Sequence, residues 1–239
     1  MPTIEETLKR LAVTFTVRDI MIPATALTCA RDEVEAKKVS KQNPDFSVIP
    51  LQRESKLTGY FLRDSRAARE ITLTDLISDG TSILDLVEIL ESREFAFVLA
   101  HREIAGYVHF SDLNHHLVKL TFYVILETVE RHALDPILKN DDRTFLSKNL
   151  HPKRFKHIAG QYKGDGDAAR SLVNYLNIRD ILRLAVSAGA IHLDDEVIEA
   201  MKSIRDGAAH ASENIVSNFD SVKQLARTKR ECLRILGGT

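Results

Sequence analysis

Two groups of residues in this 239-residue chain are of types and spacings that can do chemistry. The first is Arg205-Asp206 with His210 close behind, four residues separating the arginine from the histidine. Histidine titrates near neutrality and can take or give a proton. Arginine presents a planar fork of N–H donors to two phosphate oxygens. With the neighbouring Asp206 they are a candidate catalytic set for acid–base chemistry at a phosphate. Five positions on an ideal helix turn through about 140°. Either Arg205 reaches around the helix, or Gly207 between the two loosens it. The alternative is structural: Arg205 as an ion-pair donor and His210 bonding a nearby carbonyl. The second group is Gly106-Tyr107-Val108-His109-Phe110-Ser111-Asp112. A carboxylate near a helix start can accept two ribose hydroxyls, and backbone N–H groups beside it can hold phosphate. Asp112 can equally cap the helix from Leu113, and His109 is either a phosphate contact or a packed strand residue.

The elements that must position Asp112 come from an internal repeat. Thr16-Val17-Arg18-Asp19-Ile20-Met21 returns as Thr72-Leu73-Thr74-Asp75-Leu76-Ile77, and Leu57-Thr58-Gly59-Tyr60-Phe61 returns as Ile104-Ala105-Gly106-Tyr107-Val108. Between these anchors the first copy has a helical stretch near Asp32 to Lys41 and a β-type run Phe46 to Ile49. The second has a helix that Thr81 would cap, through Ile83, Leu84, Val87 and Leu90, then the run Phe95 to Leu99. Each copy reads strand, helix, strand, turn, strand, helix. Alone, some 50 residues make a marginal core; two copies stacked through their sheets make a stable one.

The repeat resembles a tandem pair of CBS motifs over residues 14–118, the first over 14–66 and the second over 70–118, in a module of residues 1–118. The resemblance implies an α+β CBS pair of short sheets with helices, binding an adenine nucleotide. In that family the closing segment runs Gly, two apolar residues, Thr or Ser, two variable residues and Asp; the Asp holds the ribose hydroxyls and an apolar strand holds adenine. Gly106, His109, Ser111 and Asp112 become the implied nucleotide-binding residues, with AMP, ADP, ATP or S-adenosylmethionine as regulatory ligand. His109 stands where the family has a hydroxyl residue. The first copy departs further, with Leu62 at the hydroxyl position and Ser65 at the Asp position, so its site is lost or altered.

From Leu113 the apolar period changes to that of a helix. Leu117, Leu120, Val124 and Val129 mark a long helix ending before Pro136, and Asp135 to Asn149 reads as an irregular connection. A basic stretch from Asn149 to His157 opens a short helix, Asp167 caps a helix through Leu172 and Leu184 that closes near Gly189, Asp194 opens another, and a last one runs from about Ser221 to Leu236. Residues 119–239 are therefore expected as an all-α bundle. Arg205 and His210 on a late helix resemble the Arg-x4-His motif of HEPN domains. That resemblance implies a homodimer whose paired motifs face one cleft, often a metal-independent endoribonuclease, with RNA as partner. Such cleavage, by attack of a ribose 2′-hydroxyl on its own phosphate, needs a base, an acid and a cation for the growing negative charge. The basic stretch Lys148 to Lys163 and the stripe Lys223, Arg227, Arg230 and Arg234 would suit RNA phosphates, the stripe being otherwise a solvated helix face.

Residues 1–118 hold 14 Lys and Arg against 18 Asp and Glu, and residues 119–239 hold 19 against 16, so the second half is the better match for a polyanion. The N-terminus has no signal-peptide pattern, no run is long enough to span a membrane, and Cys29 and Cys232 lie far apart without metal-ligand neighbours. The expectation is a cytoplasmic protein with no membrane partner and no metal. The readings that follow are an adenine-nucleotide-regulated endoribonuclease, a non-enzymatic nucleotide sensor whose helical domain serves dimerisation or RNA or partner binding, and a CBS pair used only for assembly.

Overall fold

A computed structural model describes residues 6, 10, 14–65, 67–138, 143–165 and 171–237. The chain divides into two compact units, Ala12–Leu117 and Val118–Thr239, the described Glu6 and Arg10 being grouped with the second.

The first unit is α+β. Strands β1 (Ile22–Pro23), β7 (Glu103–His109), β6 (Phe95–Ala100) and β5 (Leu76–Ser78) form one sheet in that order; β2 (Val48–Arg53), β3 (Lys56–Leu62) and β4 (Arg69–Glu70) form the other. Helices α1 (Glu33–Gln42) and α2 (Ile83–Leu90) are the helices of the two copies. The repeat survives in geometric detail. Thr16 and Thr72 each open a 3-10 turn whose third residue, Asp19 or Asp75, accepts the threonine backbone N–H at 2.8 Å. Each copy has an antiparallel hairpin, β2–β3 and β6–β7, and each hairpin slips register just after the residue facing its glycine, Leu51 opposite Gly59 and Val98 opposite Gly106. A Cβ on Gly59 would stand 2.6 Å from the carbonyl oxygen of Arg69 in β4, and one on Gly106 would stand 2.6 Å from that of Ile22 in β1. Both positions are glycine because a neighbouring backbone crosses where a side chain would be.

The two copies do not close separately. Strand β1, from the first copy, pairs with β7 of the second, Ile22 opposite Tyr107. The sheets also share a core of Val48, Leu57 and Tyr60 with Phe97 and Tyr107, in which Tyr60 meets Phe97 at 5.7 Å and Phe95 at 5.2 Å between ring centroids. Burying each large side chain of this set contributes about 1.5–3 kcal/mol. The opposite face of β2–β3 packs Ile49, Leu51 and Phe61 against Ala36 of α1. Helix α1 starts at Asp32, whose carboxylate accepts the Glu35 N–H at 2.9 Å. Helix α2 is capped by Ser82, not Thr81, because Ser82 Oγ takes the Asp85 N–H at 3.0 Å. The strand expected over Phe46 to Ile49 begins two residues later, at Val48.

The second unit is helical: α3 (His116–Leu138), α4 (Arg143–Asn149), α5 (Pro152–Asp165), α6 (Ile178–Ser187), α7 (Asp195–Ala209) and α8 (Phe219–Ile235). Helix α3 runs through Pro136 instead of ending before it. The proline sits in the last turn, where only one i to i−4 bond is lost. Its buried face is Val118, Phe122, Ile125, Val129, Ala133 and Ile137, whereas Leu120 is exposed. The expected irregular connection contains α4, anchored by buried Leu146. Asp167, the expected cap of the next helix, lies outside the described residues. The chain instead makes a 3-10 turn at Leu172–Tyr175, and α6 starts only at Asn177, whose Oδ1 accepts the Asp180 N–H at 3.0 Å. That cap contributes about 1 kcal/mol. Helix α6 ends before Gly189, which takes φ +69°. Asn218 caps α8, Ser221 being its third residue. No described helix is long and apolar enough to cross a membrane.

Candidate functional site

The segment that carries Asp112 leaves β7 at His109 and turns through a 3-10 stretch, Phe110–Asn114. Here the Thr-x-x-Asp turn of the repeat recurs a third time with histidine in place of threonine. Asp112 Oδ2 accepts the His109 backbone N–H at 2.8 Å, so the carboxylate ties the turn backwards rather than capping a helix ahead of it. This is the one hydrogen bond that the structure gives the Asp112 side chain among the described residues. Its other oxygen, Oδ1, is uncommitted at the edge of a cleft. Burial pushes the Asp112 carboxyl above the usual carboxylate range, and the His109 N–H only partly offsets this. His109 bonds Ser111 Oγ through Nδ1 at 2.8 Å and lies 4.2 Å from the Phe110 ring. Its Nε2 is buried with no hydrogen-bond partner. Burial lowers its pKa and favours the neutral ring.

The cleft has a volume of about 290 Å³, close to the lower limit for small-ligand pockets. One wall is the segment after β1, with Ile22, Ala26 and Leu27; a second is Phe46, Val48 and Pro50 at the start of β2; the third is Tyr107, His109, Ser111 and Asp112. Both copies of the repeat thus contribute to one cavity, brought together by the β1–β7 pairing. Most of the lining is apolar; its polar residues are Thr28, Asp45 and Ser47 besides His109, Ser111 and Asp112, and it includes no lysine or arginine. Gly106 is not in the lining. Its part is indirect: it lets β1 lie against β7 and so sets the first wall.

The equivalent position of the first copy is a second cleft of about 440 Å³, lined by Arg63, Asp64, Ser65, Arg69 and Glu94. Ser65 turns its hydroxyl to the Ala67 carbonyl at 2.7 Å, and Arg63 is held by the carbonyls of Asn43 and Phe46 at 2.8 and 2.9 Å. Asp45 and Ser47 line both clefts, so the two share a border.

In the helical unit, Arg205, Asp206 and His210 have separate partners. Arg205 lies 3.9 Å from Glu130 on α3 and over the Tyr123 ring, 5.5 Å from its centroid. Asp206 pairs with Lys202 at 2.6 Å. His210 is the exposed C-cap of α7, and its backbone carbonyl accepts from Lys119 Nζ at 3.4 Å. Gly207 does not loosen the helix. It is buried, and a Cβ there would stand 3.2 Å from Ile215, so its bareness admits the returning chain. Two residues that sequence reasoning missed hold this region. Glu130 is the half-buried acid against Arg205, its carboxyl raised by burial and only partly lowered by the guanidinium. Lys119 is buried and gives its ammonium to the carbonyls of His210, Ala211 and Glu213. Neither leaves a signal in the sequence, because a charge on a helix face reads as solvated until its partner is known. The basic stripe of α8 is likewise engaged: Lys223 with Asp220, Arg227 with Glu196, and Arg234 with Glu231.

Among the described residues no group of three or more His, Cys, Asp or Glu side chains is placed to hold a metal ion. No protein-family model and no curated protein matches the sequence. Among solved structures, about half of the chain matches CBS domains. One is the CBS domain of a bacterial CNNM/CorC family Mg2+ transporter in complex with ATP, 16% identical, with 48% of this chain and 94% of that one covered at a TM-score of 0.36. Another is a hemolysin-like protein containing a CBS domain from Oenococcus oeni PSU, 15% identical, with 48% and 98% covered at a TM-score of 0.35.

Proposed function

We propose that residues 12–117 are a tandem CBS module that senses an adenine nucleoside or nucleotide in the cleft at Asp112, and that the helical unit is what the module controls. The observation that carries the reading is the cleft itself: a largely apolar slot lined by the partly committed carboxylate of Asp112, with a second acid, Asp45, on the border with the neighbouring cleft. A ribose offers two adjacent hydroxyl donors, and a carboxylate with a free oxygen is their natural acceptor. The base would lie between the apolar walls. Phosphates find no cation in this cleft, and their way out is over Asp45 and Ser47 toward Arg63 and Arg69. The ligand class is accordingly AMP, ADP, ATP or S-adenosylmethionine, bound chiefly through its nucleoside.

One site, not two, is assigned. Ser65 cannot replace the carboxylate in the first copy, since its hydroxyl is already turned into its own loop. Control of the helical unit requires that the ligand bind two arrangements of the chain with different affinity. Arg205 and Asp206 are engaged by Glu130 and Lys202, which favours dimerisation or partner binding as the unit's output; of His210 only the backbone carbonyl is engaged, by Lys119.

Calorimetry of the full chain with AMP, ADP, ATP and S-adenosylmethionine tests the reading. At least one should bind, and Asp112→Ala should weaken it at least tenfold. Failure of all four, or indifference to the substitution, would sink the proposal.

A further inference from the structure

The helical unit has a cleft of its own, with the opposite chemistry. About 490 Å³ in volume, it lies where the start of α5 meets the start of α6. Its lining holds Lys153, Arg154, Arg179 and Arg183 with His151 and His157, and Asp180 is its one carboxylate. The charge of that carboxylate is offset by Arg154. Asp180 Oδ2 takes both Nε and Nη2 of Arg154, at 2.9 and 2.7 Å, and accepts the Asn177 N–H at 3.2 Å. The pair forms a nearly neutral floor, with Arg154 also tied to the Tyr175 carbonyl.

The remaining cations are not spent in the same way. Lys153 is exposed and has no carboxylate partner among the described residues. Arg179 and Arg183, one turn apart on α6, meet Glu199 and Asp195 of α7 at 3.1–3.3 Å. Neither acid lines the cleft, and exposed pairs of this kind contribute little, roughly 0–1 kcal/mol. Each guanidinium keeps N–H donors beyond those its partner uses. The dipoles of two helix N-termini add positive potential at the same mouth. Such a field in a concave surface selects an anion. The lining has no Phe, Tyr or Trp, and its concentration of cations favours phosphate over a nucleobase.

We infer that this cleft is a phosphate-binding site, with Lys153, Arg179 and Arg183 as the ligating cations. The phosphate comes either from a small phosphorylated molecule or from the backbone of single-stranded RNA, and one experiment separates the sources. Inorganic pyrophosphate and a single-stranded RNA oligomer are titrated into the full chain. The wild type is compared with the double variant Lys153→Ala/Arg183→Ala and with Lys223→Ala, a cation of α8 outside the cleft. Binding of either anion should weaken at least tenfold in the double variant and stay unchanged in Lys223→Ala. Tighter binding of pyrophosphate assigns a small ligand. Tighter binding of RNA, with a salt slope that falls by about 0.7 for each cation removed, assigns a nucleic acid. If neither anion binds, if the double variant binds as the wild type does, or if Lys223→Ala weakens binding equally, the inference is wrong. Thermal unfolding of the double variant, expected at the wild-type temperature because both side chains are exposed, confirms that a loss is local. Pyrophosphate carries no nucleoside, so Asp112→Ala leaves these results untouched and the two sites are tested separately.

Discussion

Arg205 stands 3.9 Å from Glu130, too far for a hydrogen bond and close enough to offset a buried charge. Removing the guanidinium leaves that carboxylate without its counter-charge. Arg205→Ala should therefore destabilise the helical unit by about 1–3 kcal/mol, less than the loss for a fully buried pair because both side chains keep some solvent. Adding Glu130→Gln should restore most of the loss, as a double-mutant cycle by denaturant unfolding would show. Additive losses would mean that the pair is not the reason.

Lys119 is the second electrostatic pin. Its ammonium serves three carbonyls that follow α7. Lys119→Met keeps the apolar stem but leaves those acceptors short of a donor, each lost bond to a charged group costing about 1.5–3 kcal/mol. Amide exchange around residues 210–213 should accelerate in that variant, while exchange in the first unit stays as it was.

For Asp112 the pH dependence has a definite sign. Burial raises its carboxyl pKa, and only the ionised form accepts both ribose hydroxyls. Nucleotide affinity should fall on acidification, beginning at a higher pH than for an exposed aspartate, which titrates near 3.9. Asp112→Asn should bind weakly at every pH and lose this dependence, apart from what the ligand's own phosphate contributes.

His109 acts on stability instead. Its folded pKa is depressed by burial, while the unfolded chain keeps a value near 6.5. Below that pH the unfolded state takes up a proton that the folded state refuses, so stability drops as pH falls through the unfolded value toward the folded one. His109→Gln should flatten part of the decline in melting temperature between pH 7 and 5. His115, lowered chiefly by burial as well, accounts for another part.

Gly59→Ala and Gly106→Ala place a methyl 2.6 Å from a backbone carbonyl oxygen, and backbone cannot step aside as a flexible side chain can. Each should cost about 1–3 kcal/mol. Gly106→Ala should also weaken nucleotide binding, because β1 carries one wall of the cleft. Gly59→Ala serves as the control, with a similar loss of stability and intact binding.

The repeat was legible because its markers are local. The Thr-x-x-Asp turns and the strand glycines have fixed backbone requirements, so Thr16, Thr72, Gly59 and Gly106 could be matched before any fold was known. Caps were read to within a residue where two hydroxyls adjoin, as with Thr81 and Ser82. Pro136 misled because helix termination depends on where in the last turn a proline falls, and α4 was missed because a single buried leucine leaves no periodicity. The Asp112 turn was found, but its backward bond to His109 was not. The cleft opposite it depends on β1 crossing to the other copy, a pairing that no local pattern encodes. Glu130, Lys119 and the Arg154–Asp180 floor are tertiary pairs, invisible until helices distant in sequence are packed.

The crossing of β1 to β7 also bears on how the cleft comes into being. Ile22 and Tyr107 come from opposite ends of the first unit, so of the strand pairings there theirs closes the longest loop and carries the largest entropy of closure. The hairpins β2–β3 and β6–β7 can each form from neighbouring chain. The cavity cannot, since one wall follows Ile22 and another follows Tyr107. The proposed ligand recognition would thus be reserved for chains whose two ends have already met. A bound nucleotide would slow unfolding by holding together the contact that formed at the greatest entropic cost.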